Sequence, residues 1–306
     1  MQFRPSLEEI RQIAESGRYR VAPVSCEILA DIRTPIEVMQ ILKNVSSHCY
    51  MLESVEDRTK WGRYTFLGYD PKLETTAAVV RSAVKNGADL IELGIPFSDP
   101  TAEGPVIQGA NLRALSGGVT TDRIFDLVRE LRTDVTVPMV FMTYANVVYS
   151  YGAEIFISTC HKIGIQGLIL PDLPYEEKEE FLDLCHRYEV DLISLIAPTS
   201  DDRIAMISKE AEGFVYLVSS LGVTGTRTEI QTDLTSIVKM IREHTEIPCA
   251  IGFGIARPEQ ARAMAALSDG AIVGSAIIKI IEQYGRDAAA PVGEYVKSMK
   301  DAIRDL

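Results

Sequence analysis

"IELGIPFSDPTAEGP", residues 91–105, is the stretch on which the fold turns. The run from Leu90 to Ile95 is apolar except for one carboxylate, Glu92, and a Pro- and Gly-bounded loop with two more acids, Asp99 and Glu103, follows it. A short apolar run bounded by turn residues reads as a buried strand. In an extended chain Glu92 points opposite to Ile91 and Leu93, so it enters either the lumen of a closed sheet or the layer between sheet and helices. Loss of water there raises a carboxyl pKa toward neutrality, which suits proton transfer. The plainer reading is a structural acid paired with Lys or Arg. The loop after the strand has the length of a functional one, and Glu103 in it can accept a hydrogen bond from a substrate N–H.

The same pattern repeats downstream. "VPMVFMTY", "GLILPD", "DLISLIAP", "GFVYLVSS", "PCAIGFG" and "GAIVGS" are further short apolar runs. Between them lie amphipathic stretches such as "TTDRIFDLVRELRTD" and "LTSIVKMIREHTE", with apolar residues at three- and four-residue spacing. Alternating strand and helix means a parallel sheet covered on both faces. An open doubly wound sheet and a closed eight-stranded barrel both fit. The barrel also explains why polar and Gly-rich residues gather after the strand ends, where such barrels build their sites. Seven strands are evident, and "RYTFLG", residues 63–68, is the candidate for the eighth.

"GVTG" (222–225), "GFGI" (252–255) and "GSA" (274–276) follow the last three strands. Glycine lets backbone N–H groups approach a ligand, and a helix start favours an anion. One glycine is no more than a turn. Three at successive strand ends point to a phosphate site.

The formal net charge of −12 disfavours nucleic acid and anionic membrane surfaces as partners. No apolar run reaches the length of a membrane span, and the N-terminus lacks the apolar core of a signal peptide. Cys26, Cys49, Cys160, Cys185 and Cys249 form no Cys-x-x-Cys pair and read as reduced cytoplasmic thiols. His48, His161, His186 and His244 have no ligand spacing, so no metal is expected. Walker, dinucleotide-binding and nucleophile-elbow motifs are absent from the sequence.

Residues 1–62 do not share the rhythm. "SLEEIRQIAESG" and "TPIEVMQILKNV" open with capping boxes, Ser6 to Glu9 and Thr34 to Glu37, and "YRVAPVSCEIL" between them reads as a strand. The expected organisation is an N-terminal fragment, 1–62, followed by a barrel, 63–306.

"DLIELGIPFSDPTAEGPVIQGANLRAL", "VFMTYANVVYSYG", "LILPDLPYEE", "VYLVSSLGVTGTR", "GFGIARPEQ" and "AIVGSAIIKII" together resemble the tryptophan synthase alpha chain family, from about Asp70 onward. "GRYRVAPVSCEILADIRTPIEV" and "CYMLESVEDRTKWGRYTFLGYDPKLE", about residues 10–74, resemble the start of anthranilate synthase component I. The resemblances imply an α/β fold, a (β/α)8 TIM barrel, with an atypical α+β extension in place of the usual first-strand region.

The first resemblance implies a cytoplasmic lyase that splits indole-3-glycerol phosphate into indole and glyceraldehyde 3-phosphate by a retro-aldol reaction. It places the catalytic glutamate on Glu92, the second acid on Glu103, and the site tyrosine on Tyr216. The family usually has Asp in "ADGP", where this chain has Glu103. Thr224 falls on a mobile-loop position, and Gly225, Gly254, Gly274 and Ser275 on phosphate-binding positions. Asp99, Pro100 and Asn146 fall on positions facing a beta chain in an alpha2beta2 assembly. No cofactor is implied for this chain, and pyridoxal phosphate belongs to the beta partner. The alternatives are an impaired fusion barrel that only binds the phosphate ligand or docks on the beta chain, and another phosphate-binding aldolase or isomerase.

Overall fold

The computed structural model describes residues 3–4, 11–12, 25–26, 49–53, 65–69, 73–219 and 233–306. The chain divides into two compact units, Met1–Tyr69 and Asp70–Leu306.

In the first unit, β1 (Phe3–Arg4) pairs antiparallel with β2 (Ser25–Cys26). Likewise β3 (Cys49–Glu53) pairs antiparallel with β4 (Thr65–Tyr69), with Met51 opposite Leu67. The strand expected around Cys26 is therefore present in part, and both expected capping boxes lie outside the described residues. The strand expected at 63–68 is described in part, as β4 of this first unit. Its ladder runs to 49–53 in a two-stranded sheet.

The second unit alternates strands and helices. Its strands are β5 (Ile91–Gly94), β6 (Met139–Met142), β7 (Gly167–Ile169), β8 (Asp191–Leu192), β9 (Leu195–Ile196), β10 (Val215–Val218), β11 (Cys249–Gly252) and β12 (Gly270–Ala271). Its helices are α1 (Glu74–Lys85), α2 (Pro105–Ser116), α3 (Thr121–Leu131), α4 (Ala145–Tyr151), α5 (Ala153–Ile163), α6 (Glu179–Arg187), α7 (Asp201–Lys209), α8 (Leu234–His244), α9 (Pro258–Ala265), α10 (Ser275–Tyr284) and α11 (Ala289–Ile303). All strand pairs are parallel, in the orders β5-β6-β7-β8 and β9-β10-β11-β12. The two sheets meet within "DLISLI", whose first half bonds to β7 and whose second half bonds to β10. The order never reverses. A doubly wound sheet reverses at a switch point, whereas a barrel counts consecutively, so the strands have barrel order.

Among the described residues the ladder ends on β5 and β12. The helix layer is continuous across that opening. Helix α1, which leads into β5, packs Val79 and Ala83 against Ala288 and Val292 at the start of α11. The approach is close: a Cβ on Gly293 would stand 2.4 Å from Ser82 Oγ.

Each strand serves two cores. Leu93, Phe141 and Leu168 share a register row and join the helix-facing cluster with Phe125, Val128 and Phe156. Val140, Ile169, Ile193, Tyr216 and Val218 form a second cluster on the other face, the lumen. Helix α3 shows how the outer core is specified. Thr120 caps it by accepting the Arg123 N–H at 3.4 Å, Asp122 sits in its first turn, and Ile124, Phe125, Leu127, Val128 and Leu131 are its buried stripe.

Candidate active site

Register settles the direction that the sequence left open for Glu92. Glu92 stands beside Val140, and Val140 belongs to the lumen cluster. Neighbours in a parallel row point to the same face, so Glu92 faces the lumen. Protein surrounds its carboxyl group, while the residue as a whole keeps an intermediate surface exposure. Burial raises its pKa to about 7, and repulsion from Glu103 adds to the shift. Glu92 has no hydrogen bond or ion pair to a described residue, so the structural-acid reading finds no cation partner there.

Tyr216 lies across the lumen on β10, 5% exposed. Its hydroxyl is held well above the ordinary phenol range, first by burial and then by Glu92. Its ring stands edge-on to Phe253, centroids 6.2 Å apart. It also lies flat against the backbone of β11: a Cβ on Gly252 would come within 2.5 Å of the ring.

Glu103 ends the loop that follows β5, just before α2. Burial raises its pKa, while hydrogen bonding from Asn111 and Tyr144 opposes the rise. Asn111 Nδ2 donates to Glu103 Oε2 at 2.6 Å, and Gln108 Nε2 donates to the Glu103 carbonyl at 2.7 Å. The buried Tyr144 hydroxyl accepts the Ala102 N–H at 3.1 Å, and its ring packs on Phe97 with centroids 5.2 Å apart. Sequence reasoning missed Asn111, Tyr144 and the helix that carries Asn111. Helix α2 has no fully buried residue, so the apolar periodicity that exposes other helices is weak there. The available signal was Pro105 following Gly104, a usual helix opening.

Two of the three glycine-bearing ends lie among the described residues, after β11 and before α10. Gly254 follows β11 in the left-handed region, at φ +87°, beside Phe253 at +74°. Gly274 precedes the first residue of α10, Ser275, and a Cβ there would meet nothing within 4 Å. An open space at a helix N-terminus, with a buried Ser275, is suited to an anion. Thr224 and Gly225 lie outside the described residues.

Asp99 and Asn146 are exposed and Pro100 is partly so. Asn146 borders an open groove of about 340 Å³ that is also lined by Phe97, Thr121, Val147, Ser150 and Tyr151. Among the described residues no group of His, Cys, Asp or Glu could hold a metal, and no helix is long and apolar enough to cross a membrane. His161 and His186 are exposed beside Glu189 and Glu212, in keeping with surface roles.

The family model of the tryptophan synthase alpha chain matches residues 53–304, reaching upstream of the start read from the sequence. The tryptophan synthase alpha chain of Lactiplantibacillus plantarum is 49% identical over 235 residues, 76% of this chain and 89% of that protein. That of Lacticaseibacillus casei is 46% identical over 234 residues, 76% and 88% of the two chains. The crystal structure of tryptophan synthase subunit alpha from Legionella pneumophila superposes with a TM-score of 0.70 at 37% identity, covering 78% of this chain and 90% of that one. A chain from the Pyrococcus furiosus tryptophan synthase a2b2 complex gives 0.70 at 33% identity, covering 76% and 94%. The lumen acid, the consecutive parallel strands and these matches agree: the chain belongs to the tryptophan synthase alpha chain family, the lyases of the alpha reaction in tryptophan biosynthesis.

Proposed function

We propose that this chain cleaves indole-3-glycerol phosphate to indole and glyceraldehyde 3-phosphate, with Glu92 as the proton-transfer group. The observation that carries the reading is Glu92 itself, an acid in the lumen with no cation beside it among the described residues and a pKa near neutrality. Breaking the bond to indole C3 requires a proton on that carbon and the removal of one from the side-chain hydroxyl as the carbonyl forms. A carboxyl group poised near pH 7 performs both transfers in turn. Glu103 accepts the ring N–H and stabilises the positive charge that develops on the indole when C3 is protonated. Tyr216 forms part of the lumen wall beside the reacting bond. Gly254, Gly274 and Ser275 hold the phosphate, with Thr224 and Gly225 completing that side and the loop closing over it. The chain needs no cofactor of its own.

The same reading places the protein in the cytoplasm, where Cys160, Cys185 and Cys249 stay as the buried free thiols observed. It also assigns a beta chain to the surface around Asp99, Pro100 and Asn146, in an alpha2beta2 assembly whose beta subunit carries the pyridoxal phosphate. The groove beside Asn146 supports that assignment. Residues 1–62 are a fragment resembling anthranilate synthase component I that stands in for the usual first-strand region.

Indole release from indole-3-glycerol phosphate, measured for wild type and Glu92→Gln, tests the proposal. Wild type is expected to be faster by about 10²–10⁴. Equal rates would overturn it. One observation favours the impaired-barrel reading: among the described residues the ladder is open between β5 and β12. On that reading both proteins release no indole yet raise the rate of an added beta chain.

A further inference from the structure

We infer that Asn111 is a positioning residue for Glu103, and this rests on the reading that Glu103 meets the substrate. Three observations lead there. Asn111 donates to Glu103 Oε2 at 2.6 Å from the middle of α2. The same helix is anchored to Glu103 a second time, because Gln108 donates to the Glu103 carbonyl at 2.7 Å. On the other side, Tyr144 is 2% exposed, takes the Ala102 N–H, and its hydroxyl opposes the rise in the Glu103 pKa.

Glutamate reaches one methylene further than aspartate and has one more torsion to fix. A carboxylate accepts about four hydrogen bonds. The bond from Asn111 fixes its direction and leaves acceptor sites for a substrate N–H. Asn111 suits the role because its amide donates but carries no titratable proton. It can hold the carboxylate without competing in proton transfer. The helix explains the precision: α2 begins at Pro105, directly after Gly104, so Glu103 and Asn111 belong to one rigid unit.

The test compares Asn111→Ala, Asn111→Asp, Glu103→Ala and the double variant Asn111→Ala/Glu103→Ala, in steady-state indole release across pH. Asn111→Ala is expected to lower kcat about ten- to hundredfold, the usual weight of a hydrogen bond to a charged group. KM should change less than kcat. The pH inflection that Glu103→Ala abolishes should move upward in Asn111→Ala, because a bond that favoured the ionised form is gone. It should move further upward in the near-isosteric Asn111→Asp, which sets a second negative charge beside Glu103. The double variant should be no slower than Glu103→Ala alone. A merely structural role for Asn111 would leave that inflection in place and make the two losses multiply. If Glu103→Ala is impaired while Asn111→Ala and Asn111→Asp keep the wild-type rate and profile, the positioning role falls and the acid's role stands. If Glu103→Ala is as active as wild type, the reading beneath both falls.

Discussion

The two ends of the barrel treat polar side chains in opposite ways. At the end where the strands begin, most polar groups are matched, the buried Arg132 Nε and the half-buried Asp191 carboxyl being the exceptions. The Arg132 guanidinium donates to the carbonyls of Val137 at 2.7 Å and Gly164 at 2.5 Å, and to Gln166 Oε1 at 2.7 Å. Gln166 Oε1 also accepts the Met139 N–H, and Asp269 accepts the Cys249 N–H, each at 2.9 Å. His186 binds Glu212, which reaches the Leu192 N–H. These contacts pin strand starts to helix ends. In the lumen and at the opposite end, Glu92 has no partner among the described residues, and burial holds both Glu92 and Glu103 above the ordinary carboxyl range. On the proposed reading, the first end serves stability and the second gives some up for reactivity.

The contrast breaks most sharply at Glu92. Replacing Glu92 by Gln keeps its shape and removes its proton chemistry, so kcat should fall by about 10²–10⁴ with little change in KM. Steady-state kinetics on the folded variant checks this. A variant that lost affinity and kept kcat would show that the lumen acid only binds.

Arg132→Ala should do the reverse. It strands several backbone carbonyls, so urea unfolding should show a loss of about 2–4 kcal/mol. The kcat of the fraction that remains folded should stay at the wild-type level. A fall in kcat with unchanged stability would erase the distinction between the two ends.

The pH dependence of stability sharpens the comparison further. The Glu92 pKa rises from the ordinary 4.5 to about 7 on folding. Between those values the folded chain binds more protons than the unfolded chain, so stability falls as pH rises through the window. The cost at neutral pH is about 3 kcal/mol, at 1.36 kcal/mol for each unit of that rise. Urea unfolding should therefore find Glu92→Gln more stable than wild type at pH about 7.5, with the gap closing toward pH about 4.5.

Gly274→Ala should give the smallest effect. A Cβ there meets no protein atom, so the folded chain should stay within about 1 kcal/mol of wild type. The side chain would occupy the proposed phosphate space, and KM should rise about tenfold while kcat holds, a change of about 1.4 kcal/mol. An unchanged KM would move the phosphate away from the start of α10.

Much of this molecule is written locally. Short apolar runs with Gly, Pro or Asp at their ends became strands at 91–94, 139–142, 215–218 and 249–252. A Thr cap and an apolar stripe made α3 what its sequence says. The glycines after the late strands could be read as anion-binding because backbone access and helix starts follow from residue type and order alone. Local patterns could not supply pairing. "RYTFLG" is a strand by composition, yet nothing within it names 49–53 as its neighbour. Asn111 escaped for a related reason: a polar residue within a weakly amphipathic helix looks like a solvated one until the loop before that helix is seen to fold back onto it.

What the sequence determined by itself was the alternation of strand and helix, the presence of an acid inside a buried strand, and the glycine-bearing ends. These depend on side-chain periodicity and backbone freedom, which are properties of neighbours in the chain. Only the tertiary structure decided that Glu92 faces the lumen and that its pKa stands near neutrality. Both depend on which strand lies alongside and on how much water the surrounding protein excludes, and those are set by residues far away in sequence.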